Sequence, residues 1–315
     1  MKKDCVVVVG SGMMGSGIGA MSALAGNKTI LVDLDRLRAD AGREKALACI
    51  ALRLKNGLCT QEQAARAQTL ISSCTNLEQA VSSAGLVIEA IVENLAAKQQ
   101  LFQQLDALTD ADVPLCSNTS GLRITEIAAL CSNHPERTLT THFWLPAHLV
   151  PLVEVVMWEK TDEAVASSVV QLLKGWKKSP VLVRRDLPGQ LANRVFQAII
   201  REAVDIVETG LASAEDVDTA IAAGMAMRFP VWGPLMHLDA IGTDLGLSVQ
   251  QTVLPSISCS KEAGRYIKDL AARGDLGAKT GKGFYDWSKR SIADAMDKRD
   301  AFIIGACKLL DTLNG

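Results

Sequence analysis

The chain of 315 residues is 48% hydrophobic and 22% charged, a composition that excludes a disordered protein and allows two globular cores. Its formal net charge of −2 provides no basic surface for nucleic acid or an anionic membrane, so we expect a small-molecule partner. The first apolar run, Val6–Val9, is too short for a signal peptide or a membrane span, which predicts a cytoplasmic protein.

Short β-branched runs alternate with helical stretches in the first part of the chain, which predicts βαβ units around a mostly parallel sheet. The predicted strands are residues 5–9, 28–33, 69–74, 84–92, 113–118, 138–143, 152–158 and 180–185. After Pro188-Gly189 the apolar residues recur at helical spacing. We therefore predict an α/β domain over residues 1–186 and an all-α domain over residues 187–315.

A long excursion, residues 36–67, separates the second predicted strand from the third. It is interrupted at Asn56-Gly57 and restarts at Thr60, where a capping-box pattern with Gln63 begins a second helix. This pattern predicts a helical hairpin inserted in the α/β domain and projecting from its sheet.

The first strand runs directly into GSGMMG, residues 10–15. Gly10 permits a tight turn, Gly12 lets backbone amides approach a pyrophosphate, and Gly15 lets the following helix pack closely on the strand. The second strand then ends at Asp33, eighteen residues after Gly15, where a carboxylate can accept hydrogen bonds from ribose hydroxyls. The order of these features predicts a Rossmann-like dinucleotide-binding domain; FAD fits the glycine motif too, but no other feature indicates a flavin.

The acid at the end of the second strand also indicates which nicotinamide cofactor is used. A carboxylate at Asp33 would repel the 2′-phosphate of NADP, so NAD is favoured. Arg36 and Arg38 weaken this argument only if they point inward, and a solvated helix face is the simpler interpretation.

The stretch THFWLPAHLVPLVEVV, residues 141–156, places His142 at a strand end and Glu154 among valines. A buried carboxylate is costly unless it has a partner, and His142 is one candidate. An imidazole is suited to accept a hydroxyl proton while hydride leaves the same carbon, because it titrates close to working pH. From the pattern alone, a histidine at a strand end is more often structural than catalytic.

Several stretches, in order and over nearly the whole chain, resemble the L-3-hydroxyacyl-CoA dehydrogenase family. They are GSGMMGSGIGAMSALAG, LVIEAIVENLAAKQQLF, CSNTSGLRIT, THFWLPAHLVPLVEVV, PGQLANRVFQAIIREAV and LGAKTGKGFYDW. The resemblance implies an N-terminal NAD domain, a helical C-terminal domain that usually forms a homodimer, and oxidation of a 3-hydroxy group with L stereochemistry.

The resemblance also implies a set of catalytic residues. His142 matches the base and Glu154 its carboxylate partner, while Ser120 and Asn193 match residues that contact the substrate oxygen. Alternatives remain for the last two, because a serine before a helix is a common N-cap and an asparagine at a domain boundary can be a satisfied interface residue.

Further positions match the NAD site of the family. These positions are Met14 in the glycine motif and Ala90, Glu93 and Lys98 after the fourth strand. Glu93 can equally cap the helix that follows, and Lys98 can be solvated.

The substrate is where this chain departs from the family. Leu145 stands where the family usually has asparagine, and the stretches AHLVPLVEV and GMAMRFPVWGPL resemble the relatives that oxidise free 3-hydroxy acids, the L-gulonate and carnitine dehydrogenases. Arg228 in the second stretch can bind a substrate carboxylate, but it can equally be a surface or interfacial arginine. Coenzyme A needs cations, and the hairpin offers Arg43, Lys45, Arg53 and Lys55. We predict an L-3-hydroxyacyl-CoA such as 3-hydroxybutyryl-CoA, with a free hydroxy acid as the alternative.

Other classes fit less well. Dehydrogenases of 3-hydroxyisobutyrate or 6-phosphogluconate use a catalytic lysine, which PGQLANRVFQAII does not contain. A non-catalytic NAD-binding protein remains a third possibility, disfavoured because all four catalytic positions are kept. The cysteines have no metal-ligand spacing, and His142 and His148 are six residues apart, so we predict no metal.

Overall fold

One eight-stranded sheet organises the first part of the chain in this computed structural model, which describes residues 5–314. The strand order is β3-β2-β1-β4-β5-β6-β7-β8, and every neighbouring pair is parallel except β6 and β7. The strands are β1 Cys5–Val9, β2 Lys28–Val32, β3 Ile71–Cys74, β4 Leu86–Glu89, β5 Leu115–Ser117, β6 Thr138–Phe143, β7 Leu152–Val156 and β8 Ser179–Val183.

Helices connect the strands in the first part of the chain, and the elements that follow β8 are helices. Those of the α/β part are α1 Met13–Leu24, α2 Arg36–Lys55, α3 Gln61–Leu70, α4 Leu77–Val81, α5 Leu95–Leu108, α6 Ile124–Ile127 and α7 Glu163–Gly175. The later ones are α8 Ala192–Glu208, α9 Ala214–Ala220, α10 Pro234–Ile241, α11 Thr243–Val253, α12 Arg265–Ala272 and α13 Ile292–Asn314. The predicted fold class, a Rossmann-like domain followed by an all-α domain, is confirmed.

All eight predicted strands are present, but several predicted ends were too long. Thr69 and Leu70 finish α3, so β3 begins at Ile71. The fourth strand ends at Glu89 because its partner β1 ends at Val9, the last residue of their ladder. Likewise β5 covers only residues 115–117, β7 stops at residue 156 and β8 at residue 183.

The predicted helical hairpin exists, but the expectation that it projects from the sheet was wrong. Helices α2 and α3 both pack against α1, and the buried side of α2 includes Gly42, Ala46 and Ile50. Small residues allow this close approach, since a Cβ at Gly42 would lie 2.2 Å from the Cβ of Ser11. The capping box at Thr60 and Gln63 is formed as predicted.

Both faces of the sheet are covered, so strand β1 is buried along its whole length. Val6 and Val8 belong to the core on one face, whereas Val7 and Val9 belong to the core on the other. This two-sided burial explains why the strand is a continuous valine run rather than an alternating pattern.

The chain divides into two compact units, residues 1–193 and 194–315. In the second unit, helices carry many exposed apolar side chains, among them Leu235, Phe302, Leu309 and Leu313. Within residues 5–314, none of the helices has the length and apolar character needed to cross a membrane. The boundary that we placed between residues 186 and 187 stays a prediction.

Candidate active site

The glycine turn between β1 and α1 is shaped by close backbone contacts. Gly10 has a φ of +97°, and a Cβ there would lie 2.5 Å from the carbonyl oxygen of Ala90. A Cβ at Gly15 would lie 1.8 Å from the Gly10 oxygen, whereas at Gly12 nothing lies within 4 Å. No side chain caps the start of α1, so the turn offers amides and open space for an anion such as a pyrophosphate.

The carboxylate of Asp33 is fixed beside this turn. Its Oδ2 accepts hydrogen bonds from the amide of Ser11 at 2.9 Å and the Ser11 hydroxyl at 2.7 Å, and its Oδ1 accepts one from the amide of Leu34. Partial burial opposes the charged form, but these hydrogen bonds keep the pKa of Asp33 below its ordinary value. Arg36 and Arg38 pair with nearby aspartates on the exposed side of α2, which agrees with the solvated interpretation.

His142 and Glu154 face each other across the antiparallel pair of strands β6 and β7. Directly opposite residues of such a pair share one face of the sheet, so their side chains meet. The imidazole Nδ1 and Glu154 Oε2 are 2.8 Å apart. Since a carboxylate only accepts, Nδ1 carries a proton, and in the neutral imidazole Nε2 is then the acceptor.

Glu154 is fully buried and yet remains charged, because its carboxylate accepts four hydrogen bonds. Oε2 binds His142 Nδ1 and the indole Nε1 of Trp144 at 3.1 Å, while Oε1 binds the amides of Leu191 and Ala192, each at 2.8 Å. Burial alone would raise its pKa, but the hydrogen bonds from His142, Ala192, Trp144 and Leu191 lower the pKa to about 2.

Ser120 lies on the other side of the imidazole. Its hydroxyl Oγ is 3.1 Å from His142 Nε2, and the Asn193 amide Nδ2 donates to the Ser120 carbonyl at 3.3 Å. The N-cap interpretation of Ser120 was wrong, because Arg123 precedes α6 and no side chain caps that helix. Hydroxyl, imidazole and amide thus converge at one place.

A cavity of about 370 Å³ opens where these side chains converge. Ser120, His142 and Asn193 form its polar wall, and its apolar wall consists of Met13, Met14, Phe143, Trp144 and Leu145. This volume suits a compact ligand. Leu145 contributes an apolar side chain beside the imidazole, half exposed.

Two glutamates and a lysine support the loop that carries Ser120. Glu93 Oε1 accepts from the Thr119 hydroxyl at 2.5 Å and from the amides of Ser120 and Gly121, so the alternative role of Glu93 as a cap of α5 was wrong. Asn94 caps that helix instead. Partial burial raises the pKa of Glu93, but the Thr119 hydroxyl and the charge of Lys98 hold it below its ordinary value.

Lys98 is buried rather than solvated, which makes that alternative wrong as well. Its Nζ lies 2.5 Å from Glu89 Oε1 and 3.3 Å from Glu93 Oε2. Glu89 also accepts a hydrogen bond from the Ser117 hydroxyl at 2.6 Å, so the ends of β4 and β5 are tied together under the loop.

Two family models together match nearly the whole chain. One, described as 3-hydroxyacyl-CoA dehydrogenase, NAD binding domain, matches residues 5–187, and the other, described as 3-hydroxyacyl-CoA dehydrogenase, C-terminal domain, matches residues 189–287. The chain belongs to the 3-hydroxyacyl-CoA dehydrogenase family. As a member of this family, it is an oxidoreductase that acts on CH–OH groups with NAD as cofactor.

Relatives in this family differ in what they act on. A probable 3-hydroxybutyryl-CoA dehydrogenase of Bacillus subtilis is 36% identical over 287 residues, which cover 91% of this chain and 98% of that protein. The crystal structure of (S)-3-hydroxybutyryl-CoA dehydrogenase from Ralstonia eutropha has a TM-score of 0.74 and 29% identity, covering 91% of this chain and 99% of the other. That of 5-formyl-3-hydroxy-2-methylpyridine 4-carboxylic acid 5-dehydrogenase, an NAD+-dependent dismutase, has a TM-score of 0.90 and 28% identity, covering 98% and 99%.

The basic side chains that we predicted to bind substrate differ in their exposure to solvent. Arg53 is buried, and its guanidinium donates to the carbonyls of His148 and Leu58, so our expectation that it is available for coenzyme A was wrong. Lys55 is exposed on α2. Arg228 is exposed in the second unit. Among the described residues, no group of three or more His, Cys, Asp or Glu side chains could hold a metal ion.

Sequence reasoning missed several groups that contact the candidate site. It assigned no role to Trp144, to Glu89 or to the amides of Leu191 and Ala192. The position of Trp144, two residues after His142 in an extended run, was the available signal, because alternate residues of a strand share a face. Backbone amides that bind a carboxylate leave no mark in side-chain sequence.

Proposed function

We propose that this family member interconverts a hydroxyl and a carbonyl group through His142 and Glu154. Bound NAD supplies the acceptor for the hydride that leaves the carbinol carbon. His142 Nε2 takes the hydroxyl proton as general base, and Glu154 stabilises the imidazolium that forms. The observation that carries this proposal is the position of the imidazole, with Nδ1 2.8 Å from Glu154 and Nε2 3.1 Å from the Ser120 hydroxyl.

Ser120 and Asn193 complete the proposed catalytic group. The Ser120 hydroxyl donates to the substrate oxygen as negative charge develops there, and the Asn193 amide approaches the same oxygen or holds the Ser120 backbone. Both side chains line the cavity beside His142, which supports these roles.

The residues proposed to hold NAD are those around the glycine turn and the end of β4. Gly10, Gly12 and Gly15 shape the pyrophosphate site, Asp33 accepts from the ribose, and Met14 and Ala90 form apolar walls. Glu93 is proposed to hold the Ser120 loop in position beside the cofactor, and Lys98 is proposed to hold Glu93. The burial of Lys98 supports this indirect role rather than a direct contact with NAD.

The first substrate class that we propose is an L-3-hydroxyacyl-CoA such as 3-hydroxybutyryl-CoA. The identity to the Bacillus subtilis protein, at 36%, supports it. Arg43, Lys45 and Lys55 on α2, which are not buried, remain the candidates for phosphate contacts of coenzyme A.

A free, compact substrate without coenzyme A is the second class, and two observations favour it. Leu145 presents an apolar side chain to the cavity where the family usually has an amide, and Arg53 is bound to backbone carbonyls. The full-length similarity to a dehydrogenase of a small pyridine carboxylic acid adds support. Arg228 is the proposed carboxylate partner for this class.

The deciding experiment measures NADH consumption with acetoacetyl-CoA beside NADH formation with L-gulonate and L-carnitine. We expect His142→Ala to lose about a thousandfold in kcat, since general acid–base catalysis contributes on the order of 10² to 10⁴, while NADH affinity stays within about twofold. Full activity of His142→Ala would refute the dyad. Turnover only with free acids would assign the second class, and NADH binding without turnover of any substrate would favour a non-catalytic protein.

We further propose that the protein is a cytoplasmic homodimer. The exposed apolar side chains on helices of the second unit support self-association, because monomers seldom expose large apolar patches.

A further inference from the structure

Trp144 donates a hydrogen bond to Glu154 in addition to the one that His142 donates. Its indole Nε1 lies 3.1 Å from Oε2, the same oxygen that the imidazole uses. The other oxygen is held by the backbone amides of Leu191 and Ala192. A carboxylate has about four acceptor sites, so Glu154 is saturated, with the indole as its fourth donor.

The position of Trp144 follows from strand geometry. It comes two residues after His142, so both side chains start from the same face of an extended backbone. Their ring centroids are 5.8 Å apart with an interplanar angle of 49°. Glu154 stands opposite His142 in the ladder, and the two rings therefore reach the same oxygen from neighbouring directions.

The second donor on Oε2 restricts the carboxylate. The amides of Leu191 and Ala192 anchor Oε1, so the movement left to the carboxylate is a swing of Oε2 about that oxygen. With the imidazole as the only partner of Oε2, this swing would follow the ring, and the direction of the Nε2 lone pair would vary. With the indole in place, Oε2 has a fixed position, and Nδ1 must point at it. The rate of the chemical step depends steeply on this orientation. If the imidazole is not held, a smaller fraction of enzyme molecules has the base aligned with the reacting hydroxyl at any moment.

We propose that Trp144 is a positioning residue for the reaction: its indole N–H fixes Glu154 Oε2, and through Glu154 it orients the His142 imidazole toward the substrate hydroxyl. This inference rests on the proposed dyad. It adds a role for the indole, which otherwise counts only as an apolar wall of the cavity.

The ring and the N–H of Trp144 have to be tested separately, because the ring also lines the cavity. Trp144→Phe removes both the donor and part of the ring. Replacing Trp144 by 3-benzothienylalanine, in which sulfur stands for the indole N–H, keeps the bicyclic shape and removes only the donor. Trp158 is the matched control, because its buried indole donates to the Thr138 hydroxyl at 2.9 Å, away from the dyad.

We expect the benzothienyl variant to lower kcat about tenfold with the substrate KM within about twofold, the pattern of an interaction that acts on the chemical step. Trp144→Phe lowers kcat at least as much, and Trp158→Phe leaves it unchanged. A benzothienyl variant with wild-type kcat would overturn the inference and leave packing as the role of Trp144. That outcome is separate from failure of the dyad, which full activity of His142→Ala would reveal.

The hydrogen bond itself has a spectroscopic signature. In proton NMR spectra, the indole N–H resonance of Trp144, assigned with Trp144→Phe, moves upfield in Glu154→Gln, because a neutral amide oxygen is a weaker acceptor than a carboxylate. The Trp158 resonance stays in place. An unchanged Trp144 resonance would also overturn the inference.

Discussion

We propose that Leu145 separates two substrate classes that the proposed pair of His142 and Glu154 cannot distinguish. It is 46% exposed and lines the cavity beside His142, so its substitution tests selectivity without disturbing the core. An asparagine there would offer an amide to a thioester or ketone carbonyl, whereas leucine offers only apolar contact.

We therefore expect Leu145→Asn to raise kcat/KM for acetoacetyl-CoA about tenfold relative to free hydroxy acids, the effect of one added hydrogen bond. The ratio is measured from initial rates with both substrates. Leu130→Asn is the control, because Leu130 is similarly exposed at 43% and does not line the cavity. An unchanged ratio in Leu145→Asn would mean that this position does not select the substrate.

The charge of Glu154 makes stability depend on pH. Its folded pKa is about 2, below the ordinary value of 4.5, so its stabilising contribution is fully present above about pH 4.5 and is lost as pH falls toward 2. We expect the difference in unfolding free energy between wild type and Glu154→Gln to shrink by up to about 3 kcal/mol over that window.

Urea denaturation followed by circular dichroism, from about pH 7 to about pH 3, measures this difference, and about 2 kcal/mol of the loss is expected by the lower end of that range. Glu163→Gln serves as the control, because the Glu163 side chain is exposed and pairs only at the surface with Arg184. A difference that stays constant with pH would show that the Glu154 charge does not contribute to folding.

The helical hairpin is linked to the cofactor site through one close contact. Gly42 on α2 lies against Ser11, whose hydroxyl oxygen is 2.7 Å from Asp33 Oδ2 and 3.0 Å from the Arg38 carbonyl oxygen, so its single proton has two acceptors within reach. A Cβ at Gly42 would come within 2.4 Å of the Ser11 hydroxyl oxygen, so either Ser11 or the helix must shift.

Gly42→Ala is therefore expected to weaken NADH binding about tenfold, because Ser11 no longer holds Asp33 in place. Fluorescence titration with NADH measures the Kd. Gly175→Ala on α7 is the matched control, since a Cβ there meets nothing within 4 Å. Equal affinities of the two variants would show that the hairpin does not position Asp33.

The periodicity of the sequence predicted the helices and strands, but it did not predict which residues pack against each other or which are buried. The valine run of β1, the capping box at Thr60 and the twelve-residue spacing from His142 to Glu154 are local features that sequence displays directly. The packing of α2 on α1 depends on Gly42, and a single glycine in a polar helix carries no sign of what it contacts. The burial of Arg53 was missed for the same reason, since an arginine that binds carbonyls looks in sequence like a solvated one.

Association is expected at the scale of the whole molecule. Phe302, Leu309 and Leu313 on α13 are each at least 60% exposed, and their spacing of seven and four residues places them on one side of the helix. Burying such a stripe against a second copy removes apolar surface from water.

Light scattering after size-exclusion chromatography is expected to give twice the chain mass of 33.6 kDa for the wild type and a monomer, or a faster-dissociating dimer, for Phe302→Asp. Leu130→Asp, in the first unit, is the control that keeps the dimer. A monomeric wild type would remove the homodimer from the proposal.

The antiparallel pairing of β6 and β7 has a consequence for how this enzyme can change. His142 and Glu154 meet because of strand register, whereas Leu145 lies in the segment that joins the two strands. Register survives changes in a connecting segment, but a one-residue shift within a strand turns every side chain to the opposite face. Directed evolution at residue 145 is therefore expected to change substrate preference while the proposed pair of His142 and Glu154 keeps its register, and a library confined to that position would sample new specificities on unaltered chemistry.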